Sequence, residues 1–156
     1  MNTKILALAL VAAGLVSGNA LAASSTNTLN VTASVTGTCK FNSAGPSTLA
    51  FGAIDPSSAT NATATTNVTY RCTKGTTSSV TTDNGSNYSA PNKRMKDSGT
   101  NYLVYSTALV GGAQVGIGHG AGNDLTLTVN GTVAVADFQN AAAGSYTDTV
   151  VLTIAP

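Results

Sequence analysis

Apolar and polar residues alternate with a period of two in stretch after stretch of this chain. Leu29, Val31, Ala33 and Val35 alternate with Asn30, Thr32, Ser34 and Thr36, and Leu125, Leu127 and Val129 with Thr126, Thr128 and Asn130. Near the C-terminus a strand-like run over 146–154 places Val150, Leu152 and Ile154 on one face, Thr149, Val151 and Thr153 on the other. A period of two is the signature of an extended strand with one apolar face, which must be covered by another layer. Further strand-like runs occupy 47–51, 67–72, 79–82 and 102–110, and Val133 and Val135 extend the run that follows residue 125. Turn chemistry separates them at Gly52 and Asp55-Pro56, Lys74-Gly75, Asp83-Asn84-Gly85 and Gly111-Gly112, because Gly and Asn adopt positive φ cheaply. No capped helical period interrupts the series.

The chain is 42% apolar and only 8% charged, with a net charge of +1 and no Trp. Thr, Ala, Gly, Ser, Val and Asn dominate, and the β-branched residues suit pleated surfaces while the small polar ones suit turns. So weak a field offers nothing to nucleic acid or to an anionic membrane.

At the N-terminus Lys4, the apolar run over 5–16 and the Ala20-Leu21-Ala22 triplet read as a secretory signal over residues 1–22. A dozen apolar residues fall short of the roughly 20 needed to span a bilayer, so no membrane span is expected after cleavage. Residues 23–156 then suit one domain with one core. In an exported chain an isolated pair of cysteines, Cys39 and Cys72, reads as a disulfide. Zinc would need two further ligands, and His119 is the only histidine. Closing such a loop stabilises a fold by roughly 3.5–4 kcal/mol in the chain-entropy account.

About seven short strands, one disulfide and one core describe an all-β protein, an immunoglobulin-like β-sandwich, with a small barrel as the alternative. One feature fits a complete sandwich poorly. An alternating segment stands at the mature N-terminus with no partner before it, while the sequence stops at Pro156 directly after its last strand. Such a chain could complete its neighbour.

The order and spacing of several short motifs carry a resemblance. They are Thr36-Gly37-Thr38-Cys39, Leu49-Ala50-Phe51-Gly52, Val68-Thr69-Tyr70-Arg71-Cys72, Arg94-Met95, Tyr102-Leu103-Val104-Tyr105 and Gly144-Ser145-Tyr146-Thr147-Asp148-Thr149-Val150. Together they resemble the spore coat protein U family, which includes the pilins of archaic chaperone-usher pili. Where many members carry Trp-Gly after the central strand, this chain has Val115-Gly116-Ile117-Gly118, and it ends on Ala155-Pro156 rather than an aromatic residue.

The resemblance implies an incomplete, pilin-type sandwich over 38–156, lacking its last strand, with a donor-strand extension over 23–37. A periplasmic chaperone fills the groove first. At the outer-membrane usher the extension of the next copy replaces it, a form of β-augmentation. On this reading Leu29, Val31, Ala33 and Val35 are donor plugs, and Val150, Leu152 and Ile154 help form the acceptor groove. The expected product is a structural subunit, exported through the periplasm into a cell-surface pilus or coat layer that supports adhesion or biofilm formation.

Other chemistry finds little footing. Tyr146, close behind Gly144, is a candidate tyrosine corner pinning the last strand. His119 has no evident nucleophile or orienting partner, and the glycines of 111–122 lack a phosphate-loop signature. Lys93, Arg94 and Lys96 are too few, and too poor in interleaved aromatics, for a nucleic-acid site, and read as a solvated loop. The acidic residues show neither calcium-loop spacing nor a hydrolytic pair. The expectation is therefore no enzyme, cofactor or metal. A complete, monomeric sandwich that binds a carbohydrate or protein through loops at 85–98 or 111–122 is the alternative.

Overall fold

The computed structural model describes residues 23–43 and 45–156. The expected signal segment, 1–22, lies outside them. The chain divides between Ala33 and Ser34.

Residues 23–38 form no strand. Leu29, Val31 and Val35 are 84%, 83% and 85% exposed, so the alternation that predicts a strand here has no ladder to join. Regular pairing starts at β1 (Cys39–Phe41) and continues through β2 (Ala62–Cys72), β3 (Ser79–Thr82), β4 (Lys93–Lys96), β5 (Tyr102–Val110), β6 (Leu125–Val133) and β7 (Leu152–Ala155). The fold is all-β and immunoglobulin-like. Five strands form an antiparallel sheet in the order β1-β2-β6-β5-β4, and β3 pairs with β7 in a second, smaller sheet.

The long β2–β6 ladder runs from Ala62↔Val133 to Tyr70↔Leu125. It turns Val68, Tyr70, Cys72, Leu125, Leu127 and Val129 into one buried cluster. Cys39 and Cys72 face each other across β1 and β2 and are joined by a disulfide. Thr147 exchanges backbone bonds of 2.9 Å with Lys96, so the last segment also touches the outer edge of β4 and the sheet curls toward closure.

Several sequence expectations change here. The strand expected to begin at residue 67 starts at Ala62. The basic run Lys93–Lys96 is a strand rather than a loop, since it pairs with Tyr102–Tyr105. Strand β6 runs through Gly131 to Val133, as expected, and a Cβ at Gly131 would lie 2.7 Å from both Leu49 and Phe51. The missing side chain is what lets those two residues pack across the sheet. Beyond Val133 the chain does not continue the sheet. Val135 opens a one-turn helix, α1 (Val135–Phe138), which buries Phe138. Residues 47–51 belong to no strand, and the last ladder is confined to Leu152–Ala155, where the pattern predicts 146–154.

Candidate functional site

Among the described residues the buried apolar side chains form two clusters rather than one. The first, on β2 and β6, is extended by Cys39, Phe41, Leu49, Val80, Leu109, Leu152 and Ile154. The second centres on Leu103, Tyr105, Val133 and Phe138, joined by Phe51, Ile54, Met95, Tyr146 and Val150 among others. An open groove of about 1070 Å³ lies over both, with Leu49, Leu152 and Val129 toward one end and Ile54, Val150 and Phe138 toward the other.

Two backbone segments border it. Strand β7 has a neighbour, β3, on one edge only. Ahead of it Val151 accepts from Asp83 N, and Thr149 from Ser86 N, both at 3.0 Å. These bonds hold the 149–155 segment from the side of residues 79–86. Facing it, residues 46–54 make no backbone ladder bond among the described residues. The groove is thus a largely apolar trough between two segments whose backbone edges on that side are unpaired, the condition that invites another strand.

Its wall is fixed by a polar pin. Tyr105 donates its hydroxyl to Asp148 Oδ2 at 2.6 Å, and Asp148 Oδ1 accepts from Asn87 N and Nδ2, both at 3.1 Å. Burial foremost, then the Asp148 carboxylate, pushes the Tyr105 phenol well above its ordinary range. Gly85, with φ +85°, makes the turn that brings Asn87 round, and a Cβ there would collide with the Asp148 carboxylate. Tyr146 donates to Ala142 O at 2.8 Å, the upstream backbone bond of a tyrosine corner.

A second polar cluster, unread in the sequence, sits at the far side of the first apolar cluster. The fully buried Tyr70 donates to Gly111 O at 2.7 Å and meets Ser78 Oγ at 2.9 Å, while Gln114 Nε2 reaches Thr126 O at 2.8 Å. Only the tertiary approach of β2 to the 111–114 turn brings these together. The sole sequence signal is a tyrosine on the inward phase of β2.

Of the residues singled out from sequence, Val150 and Leu152 line the groove. Ile154 packs instead against the Val68–Leu127 cluster and is not among the lining residues. Leu29, Val31 and Val35 are solvent-exposed, as is Ala33. His119 is an exposed loop residue. Its Nε2 lies 3.2 Å from Thr38 Oγ1 and its carbonyl accepts from Arg71 Nη1. Arg71 in turn pairs with Asp124 at 2.6 Å, which holds that carboxyl below its usual range through the hydrogen bond first. Among the described residues no helix is long and apolar enough to cross a membrane.

A family model described as the Spore Coat Protein U domain matches residues 25–153. No curated protein matches the chain.

Proposed function

The chain belongs to the Spore Coat Protein U domain family, and from that membership and the open groove we propose that it is a structural subunit of a secreted surface polymer assembled by donor-strand complementation. The family is a structural, pilin-type one and not an enzyme family. Leu29, Val31, Ala33 and Val35 of one copy enter the groove of the next beside Val150 and Leu152, with Ile154 backing that wall. Residues 23–37 act as the donor extension and 38–156 as the accepting sandwich. Before assembly a periplasmic chaperone occupies the groove, and an outer-membrane usher exchanges its strand for the arm. The product is a pilus or coat layer serving adhesion or biofilm formation.

The observation that carries this reading is the groove itself, about 1070 Å³ of apolar space between two unpaired backbone edges. A seven-residue strand in a sandwich takes up roughly 1,100 Å³, given a rise near 3.3 Å, a strand spacing near 4.8 Å and a sheet separation near 10 Å. Burying each Leu or Val contributes about 1.5–3 kcal/mol, so three plugs supply several kcal/mol. Ladder bonds add modestly and remove the hazard of an open edge. A complete monomeric binding module would need a filled core, and the groove counts against it.

The test is Val31→Asp together with Val35→Asp in the full chain, expressed with its own export and assembly genes. Surface material run unboiled in SDS should lose its multimer ladder while the disulfide-bonded subunit is still exported. A normal ladder from this variant would sink the reading.

A further inference from the structure

Val115 and Ile117 are 58% and 52% exposed, although the segment that carries them is firmly held. Gly116, buried between them, donates to Thr76 O at 2.7 Å and accepts from Gly75 N at 2.8 Å, and Gly118 N donates to Cys72 O at 3.0 Å. Period-two alternation therefore sends both apolar side chains outward from one fixed edge. We infer that this face is a second contact between consecutive copies of the chain, packing on residues 142–144 of the copy whose groove holds the arm. The inference rests on the donor-strand reading.

The same 72–76 stretch holds the root of the arm. Thr38 N donates to Thr73 Oγ1 at 3.0 Å, Thr73 N donates to Thr38 O at 2.9 Å, and Thr38 Oγ1 meets His119. Val35, the last plug, stands three residues before Thr38, a reach of about 11 Å at most. A copy that accepts Val35 must therefore come close to the Val115 and Ile117 edge.

The end of the acceptor that comes close also follows from the fold. Cys39 and Phe41 share a cluster with Leu152 and Ile154, so each arm is rooted near the C-terminal end of β7. An arm inserted parallel to β7 would bring two roots together and favour closed pairs. An open chain needs the donor root at the opposite end of the groove. There Ala142, Ala143 and Gly144 are exposed, uncharged and part of the groove rim. Two apolar side chains on an alanine rim bury far less than the roughly 1,000 Å² that a free dimer needs. The short tether makes the contact intramolecular at an effective concentration on the order of millimolar, enough to populate a weak contact. Its consequence is a fixed angle between successive subunits.

The experiment introduces Ile117→Cys and Ala143→Cys together in the full chain and examines assembled polymers. A ladder of covalent multimers that survives boiling without reductant, absent from either single variant, is expected. An intact unboiled ladder with no covalent ladder would overturn the contact. Absence of any ladder in the unmodified protein would instead remove the donor-strand reading and the contact with it. Val115→Ser with Ile117→Ser should keep the unboiled ladder while the fibres lose stiffness in electron micrographs. Unchanged stiffness, or loss of export of the folded subunit, overturns the contact, the latter by assigning the face to an assembly partner.

Discussion

Residues 29–35 and β6 carry the same pattern, an apolar residue at every second position, and end in opposite environments. In β6 Leu125, Leu127, Val129 and Val133 are buried, and the strand is paired along both edges, to β2 and to β5. In the arm Leu29, Val31 and Val35 stay exposed and no strand forms. Alternation builds a face, whereas a ladder and a covering layer decide whether that face becomes a core or stays exposed. The arm also has no ionisable side chain between residues 23 and 37, so nothing in it resists desolvation.

The contrast can be strained at its boundary first. Cys39 lies just past the arm, and replacing both Cys39 and Cys72 with Ala should lower the urea unfolding free energy of the subunit by roughly 3.5–4 kcal/mol. A much smaller loss would mean that the Thr38–Thr73 bonds pin the root unaided. Next, one substitution can be placed in each region. Leu127→Ala should cost the subunit about 3 kcal/mol through transfer and cavity, while Leu29→Ala should stay within about 0.5 kcal/mol in the subunit and, if the arm is donated as proposed, weaken only the polymer. Equal costs would erase the distinction between core and plug.

Tyr70→Phe leaves Ser78 and Gln114 short of a buried partner and should cost about 1–2 kcal/mol, read from the same denaturation midpoints. The smallest effects are in pH, and they belong to the body alone. The Tyr105 phenol is raised on folding, so its contribution is complete below the ordinary value of 10.0 and is lost as pH climbs beyond it. Tyr105→Phe should flatten the alkaline limb of stability against pH. Asp124 is lowered by Arg71, so its contribution is present above 3.8 and disappears as pH falls through the lowered value. Asp124→Asn should flatten the acid limb and change little at neutral pH.

Much of the body was legible because its signals are local. The strands Ser79–Thr82 and Tyr102–Val110 match the expected runs, and Gly75 and Gly85 take the positive φ that their turns require. The pairing of Cys39 with Cys72 followed from composition and an expected export, and the order of short motifs across 36–150 pointed to the family whose model matches 25–153. Where expectation and structure part, the deciding residue is distant in sequence. Nothing local explains a glycine at 131 inside a strand, yet Leu49 and Phe51 need its empty position. Lys93–Lys96 reads as a solvated loop, yet β5 supplies a ladder, and Arg94 stacks 4.1 Å from the centroid of the Tyr102 ring. Val135 reads as strand, but its neighbours let Phe138 turn inward to close the second cluster.

By itself, then, the sequence determined that the chain is all-β, stapled between Cys39 and Cys72, and provided with an alternating segment ahead of its body. Tertiary structure alone decided that the core splits into two clusters beneath an open groove, that Val150 and Leu152 face it while Ile154 does not, and that residues 46–54 form its opposite rim. Period two fixes which side of a strand is apolar. What lies against that side depends on long-range pairing, whose registers no local pattern encodes.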